Sequence, residues 1–201
     1  LTKNHVYSKE MEHDACGVGL IASTEGKKSR AIVEYGIEAL KAVWHRGAVD
    51  ADGKTGDGAG IHVEIPKDFF IEKIQVTGHD YDNSEICVGM IFLPRNDYSA
   101  QESCKTIVES ELTKNNFSIY GWRQVPVNSK VLGEKALQTM PEIIQVLFKP
   151  NDPNLLDKNL ERKIYEVRKR IENKAFDASL NDFYICSISS KSIIDRKSTR
   201  L

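Results

Sequence analysis

Little in these 201 residues points to an unusual solvent or an extreme partner. Only four cysteines occur, Cys16, Cys87, Cys104 and Cys186, too far apart for the C-x-x-C pair of a zinc or redox site. A chain this long does not need covalent staples, so the thiols are expected to be reduced and no metal site is expected. Charge of one sign is lacking too. The 28 Lys and Arg against 29 Asp and Glu leave a net charge of −1. That balance is weak ground for a nucleic-acid or anionic-membrane surface. The longest apolar stretches, such as residues 86–93, fall far short of the roughly 18 residues of a spanning helix. Residues 1–15 carry His5, Lys9, Glu10, Glu12, His13 and Asp14 and no apolar core, unlike a secretory signal. The expectation is a cytoplasmic protein with no membrane and no nucleic-acid partner.

What is present is ordinary globular patterning, 40% apolar and 28% charged, without repeats or low-complexity tracts. Residues 16–23 read as a short, glycine-loosened strand. Val33, Ile37, Leu40 and Trp44 recur at helical spacing and predict one buried stripe, with Ser29 as a cap and His45-Arg46-Gly47 as the stop. Ile61, Val63 and Ile65 alternate as a strand ending at Pro66, and residues 86–93 form another ending at Pro94. Ser99 and Glu102 suggest a capping box before a helix with Ala100, Cys104, Ile107, Val108 and Leu112 on its apolar face. Strands follow at 117–125 and 143–148. Leu156, Leu160, Ile164, Val167 and Ile171 mark a third helix, and 183–189 a last strand. The mixture reads as an α/β or α+β domain, and periodicity leaves the strand directions open.

Two places invite chemistry. The loop Thr55-Gly-Asp-Gly-Ala-Gly60 is the densest glycine cluster. A phosphate-binding loop needs a strand before its glycines and a helix after them, and here the order is reversed. An EF-hand starting at Asp50 fails because its sixth position is Thr55 rather than glycine. The plain reading is a tight backbone excursion, whose glycines also let a backbone approach a small ligand. The second place is Cys16. Cys87, Cys104 and Cys186 sit in apolar strands or on an apolar helix face, as buried small hydrophobes do. Cys16 instead lies between glycines and a charged leader. Were residues 1–15 removed, its α-amino group, with a pKa of about 7.7–8.0, would stand beside the thiol as a base. An intact amide nitrogen cannot act so.

The motifs Cys16-Gly-Val-Gly, Leu40-Lys-Ala-Val-Trp-His-Arg-Gly-Ala48 and Asp50-Ala-Asp-Gly-Lys-Thr-Gly-Asp-Gly-Ala-Gly-Ile61 carry a resemblance. So do Val88-Gly-Met-Ile-Phe-Leu-Pro94, Tyr120-Gly-Trp-Arg-Gln-Val-Pro126 and Asn181-Asp-Phe-Tyr-Ile-Cys-Ser187. Together, and in this order, they resemble the amino-terminal glutaminase domain of glutamate synthase large subunits. That domain is a class II glutamine amidotransferase of the N-terminal-nucleophile hydrolase type. The resemblance implies an α+β fold, an αββα four-layer sandwich, incomplete in this chain. It divides the chain into a propeptide, 1–15, a partial amidotransferase domain, 16–194, and a tail, 195–201, that departs from the family pattern.

It further implies that Cys16 is the nucleophile that hydrolyses L-glutamine to glutamate and ammonia through a thioester, and that Arg46 shapes the substrate end of the site. Read from the residues alone, Arg46 is a helix-end cation. The complete family enzyme passes ammonia to 2-oxoglutarate on a flavin-containing synthase domain of the same polypeptide. That domain uses FMN, an iron–sulfur cluster and NADPH or another electron donor, with a small reductase subunit as a further partner. The family's later arginine segment and its Asn-Gly oxyanion pair are not found here. The expectation is therefore a fragment without glutaminase activity of its own, since each lost oxyanion donor costs on the order of 10²–10³ in turnover. A non-catalytic interaction or regulatory module that kept the scaffold is the alternative. A papain-like hydrolase would need His45 or His62 beside a thiol.

Overall fold

The computed structural model describes residues 17–43, 47, 49–56 and 58–197, the side chains of 195–197 apart. The chain divides into two compact units, Leu1–Asp57 and Gly58–Leu201.

In the first unit, residues 17–22 form no strand. The expected strand at 16–23 is thus corrected over its described part. A strand needs a ladder partner, and two glycines in this stretch raise the entropy cost of extending it. The helix forms as α1, Arg30–Ala42, and Ser29 caps it by accepting the Ala31 N–H at 3.1 Å. Its apolar stripe is half-buried rather than buried, for no residue of α1 is fully covered. Among the described residues of this unit the only other backbone pairing of strand type is the Val49–Gly56 bridge. The helix closes on Val43, whose N–H reaches the Ala39 carbonyl at 3.3 Å. Trp44, His45 and Arg46 lie outside the described residues.

The second unit is α+β. Its strands are β1 (Ala59–Glu64), β2 (Cys87–Leu93), β3 (Phe117–Gln124), β4 (Glu142–Pro150), β5 (Tyr184–Ser189) and β6 (Ser192–Lys197). Its helices are α2 (Lys67–Val76), α3 (Tyr98–Lys114), α4 (Glu134–Thr139) and α5 (Asp157–Asp177). One sheet has the order β3-β4-β2-β5 and the other pairs β1 with β6. Every pairing between these strands is antiparallel.

β2 is buried along its whole length. Both its faces are covered, which is why it reads as an unbroken apolar run instead of an alternation. Cys87, Ile91 and Leu93 face α3 and α5, packing against Cys104, Val108, Leu112, Leu160, Ile164, Val167 and Ile171. Val88, Met90 and Phe92 face the other way, toward Phe70 and Ile74 of α2, Ile65, and Ile193 of β6. Burying one such aliphatic or aromatic side chain contributes about 1.5–3 kcal/mol.

Several boundaries differ from expectation for local reasons. The helix after Pro94 starts at Tyr98 under an Asp97 cap, whose carboxylate accepts the Ala100 N–H at 2.9 Å. Ser99 is already helical, and Glu102 pairs with Lys105 at 2.8 Å, so the capping box does not form. An anionic cap suits the positive helix end. The third helix buries Leu160, Ile164, Val167 and Ile171 as expected, while Leu156 is its exposed N-cap. α2, α4 and β6 were not anticipated. α2 begins straight after Pro66, which the alternation marks only as a strand end. Residues 183–189 are not the last strand, because a turn through Ser190 and Lys191 carries the chain on into β6.

Candidate active site

Cys16 and Arg46, the residues singled out by the sequence, lie outside the described residues, as does His45. What is described is the framework next to them in the chain. The glycine-rich loop folds on its own side chains. The Asp52 carboxylate accepts the Lys54 and Thr55 N–H groups at 2.9 and 2.7 Å, and the Thr55 hydroxyl at 2.5 Å. The Asp50 N–H donates to the Thr55 carbonyl at 2.7 Å, and Asp50 Oδ1 accepts the Ala51 N–H at 2.6 Å. Gly53 turns the corner at φ +67°, a backbone conformation that glycine adopts without strain. Carboxylates committed to amides of their own turn are not arranged as a calcium loop. The N–H groups of Asp50, Ala51, Gly53, Lys54 and Thr55 are spent within this turn and are not offered to a phosphate.

The other thiols make poor nucleophiles. Cys87, Cys104 and Cys186 form no disulfide and are buried. Burial pushes the Cys87 thiol far above its ordinary range, and the Cys104 thiol up to about 11. A thiol so raised is protonated at neutral pH and inert. His62 lies exposed on β1. His79 hydrogen-bonds the Thr77 hydroxyl at 3.2 Å and meets the Tyr120 ring edge-on. Among the described residues no group of three or more His, Cys, Asp or Glu side chains could hold a metal ion.

Three polar clusters went unseen in the sequence. Asp82 pairs with Lys149 and accepts the Tyr120 hydroxyl at 3.1 Å. Lys149 holds the Asp82 carboxyl well below the usual carboxylate range, helped by Ser84. Burial foremost, and then the Asp82 charge, keep the Tyr120 phenol protonated far into alkali. Arg123 donates to Gln145 Oε1 at 2.8 Å and lies 5.1 Å from the centre of the Phe69 ring. Glu161 of α5 accepts from the Ser189 hydroxyl at 2.9 Å and from the Ser190 N–H and hydroxyl at 2.8 and 2.7 Å. Partners 22 to 67 positions apart leave no periodic trace; only the folded sheet reveals them.

Comparison with known proteins then bears on these residues. The profile of the class II glutamine amidotransferases matches residues 16–199. The chain is 54% identical over 194 residues to the glutamate synthase [NADPH] large chain of Azospirillum brasilense, covering 96% of this chain and 13% of that protein. It is 41% identical over 192 residues to a ferredoxin-dependent glutamate synthase of Pyropia yezoensis, covering 93% and 12%. The chloroplastic ferredoxin-dependent enzyme of Spinacia oleracea is 38% identical over 186 residues, covering 91% and 11%. The chain thus spans only about an eighth of the length of these relatives.

Proposed function

Because the chain belongs to the class II glutamine amidotransferases, we propose that it forms the glutaminase part of a glutamate synthase. In this reading residues 1–15 are removed and Cys16 becomes the N-terminal nucleophile. One observation carries it: the family match begins at Cys16 itself and leaves residues 1–15 outside.

The freed α-amino group accepts the thiol proton. The thiolate attacks the side-chain amide carbon of L-glutamine, the C–N bond breaks, and the departing nitrogen takes a proton and leaves as ammonia. Water then opens the γ-glutamyl thioester to give glutamate and restore the thiol. Arg46 helps to shape the substrate end of the site. The three described thiols compete poorly in this chemistry, each being buried. The ammonia passes to 2-oxoglutarate in the flavin-containing synthase domain of the same polypeptide.

FMN, an iron–sulfur cluster and NADPH or another donor supply the reducing chemistry of that domain, with a small reductase subunit as a further partner. The described residues offer no ligand set for a cluster, since no group of three or more candidate ligands comes together. In this reading those groups belong to the synthase domain. A cytoplasmic setting is part of this reading; no helix of the described residues is long and apolar enough to cross a membrane. The αββα sandwich of the family is supported by the two sheets with helices α3 and α5 outside one of them. Identity of 54% to an enzyme disfavours a non-catalytic module.

The test is to express the full-length synthase polypeptide and sequence its mature N-terminus. A start at Cys16 with glutaminase activity, lost in Cys16→Ala, is the expected result. A mature protein that retains Leu1 and hydrolyses glutamine equally well as Cys16→Ala overturns the reading.

A further inference from the structure

Helices α2 and α5 pack on opposite sides of the four-stranded sheet, and their outward faces carry opposite charge. α5 buries Leu160, Ile164, Val167, Ile171 and Ala175. Opposite that stripe, at steps of three and four, run Lys158, Arg162, Tyr165, Lys169, Asn173 and Phe176, all exposed. The line holds no acid. Glu166 and Glu172, which pair with Arg162 and Lys169, flank it. α2 buries Phe70 and Ile74, and its opposite line is Asp68, Glu72 and Val76, again all exposed. That line holds no cation. Lys158, Asp68 and Glu72 have no ion-pair partner among the described residues.

The surrounding sequence repeats the asymmetry. Between positions 158 and 174, seven Lys and Arg stand against three Asp and Glu. Between positions 64 and 85, six Asp and Glu stand against two Lys and Arg. The near-neutral chain thus separates its charge across the sheet, whereas a face shaped only for solvent mixes its signs. Apolar groups sit within both lines. Tyr165 is 59% exposed, Phe176 80% and Val76 81%. Lys169 Nζ lies 6.0 Å from the centre of the Tyr165 ring, a cation and an aromatic side by side on one surface. Exposed aromatics set among cations have the composition of a protein–protein contact.

We propose that the outward face of α5 docks on the α2 face of a second copy of this chain. Lys158, Arg162 and Lys169 meet Asp68 and Glu72, and an exposed α5 aromatic covers Val76. Because the two faces lie on opposite sides of one sheet, the contact is head to tail. Each copy offers α5 to one neighbour and α2 to another, which builds a ring or an open row. The 21 residues of α5 span about 32 Å. One such line buries well under the roughly 1,200 Å² of a standard interface, so the association is weak and sensitive to salt. It holds independently of the glutaminase reading.

The experiment treats the full-length polypeptide with a carbodiimide, which joins only an amine and a carboxylate already in contact. Within one copy the two lines are separated by a sheet and two helix layers, roughly 20 Å or more. A cross-link from Lys158 or Lys169 to Asp68 or Glu72 therefore joins two copies, and mass spectrometry is expected to find it. Raising salt from about 0.1 M to about 1 M shortens the reach of charge from roughly 10 Å to roughly 3 Å and should cut the yield about fivefold or more. Sedimentation velocity then follows two charge reversals, Lys158→Glu with Lys169→Glu, and Asp68→Lys with Glu72→Lys. Each alone should abolish the rise of sedimentation coefficient with concentration at low salt, and mixing the two variants should restore it. Absence of the α5–α2 cross-link in the unmodified chain overturns the proposal, as do α5 lysines joined instead to another protein or another part of the polypeptide. Association that survives either reversal, or that fails to return on mixing, overturns it as well.

Discussion

Gly89 of β2 and Val146 of β4 face each other so closely that a Cβ at position 89 would stand 2.7 Å from Val146 Cγ1. No side chain fits there while the ladder holds its spacing. Gly89→Ala is expected to destabilise the fold by about 1–3 kcal/mol, the usual cost of overpacking. Val146→Ala in the same chain should return part of that loss, because it opens the space the new methyl needs. Denaturant unfolding of both variants and the double mutant measures it. Additive losses would sink the explanation, since coupled neighbours do not add.

Thiol chemistry offers a second check. Of the four cysteines, Cys87, Cys104 and Cys186 are buried. A disulfide-exchange reagent should label one thiol quickly in the native, processed protein, and all four after denaturation. Mass spectrometry should place the fast label on Cys16. Fast labelling of Cys104, whose thiol is pushed up to about 11, contradicts the buried assignment.

The Asp82–Lys149 pair gives a pH signature. Lys149 lowers the Asp82 carboxyl below its ordinary value of 3.8. A carboxyl whose folded pKa is depressed stabilises the fold above its unfolded pKa and loses that contribution as pH falls toward the folded value. The pair is half-exposed, so its worth stays near the surface range of at most about 1 kcal/mol. Asp82→Asn should cost stability at pH 7 and progressively less below 3.8. An equal cost at pH 7 and pH 3, measured by urea unfolding, would falsify the assignment.

Under the proposed function the N-terminal amine is the base. Glutamine hydrolysis by the full-length protein should rise with pH through the α-amino range of about 7.7–8.0. Acetylating that amine should remove the rise and the activity together. These 201 residues expressed alone should show little turnover, because the family's oxyanion pair is not among them. Turnover at the rate of the full-length protein refutes that point.

The strands and helices that bury whole faces were legible in the sequence. β2, β4 and α5 announce themselves because Ile91, Phe148, Ile164 and their neighbours must all be apolar. α2 was not legible, for it buries only Phe70 and Ile74, too short a signal for a period. β6 was hidden by a corner without glycine or proline. Its order comes from Glu161, some thirty positions upstream, which no local window contains. The Ser99 box failed because the helix starts one residue earlier, under Asp97, which leaves Ser99 inside it. At the site the position is reversed. Cys16 and Arg46 came from motif and resemblance, and the described framework shows only what adjoins them in the chain.

The central place of β2 also governs how this protein must be made. Its partner β5 follows about ninety residues later in the chain. At ribosomal speeds of about 5–20 residues per second, that is a wait of roughly 5–20 seconds. Throughout it, the most apolar of the described strands has one edge with nothing to pair, a hazard for nascent polypeptides. The β5 edge of β2 is therefore the place most open to wrong pairing during synthesis, and the sheet cannot close until β5 has left the exit tunnel.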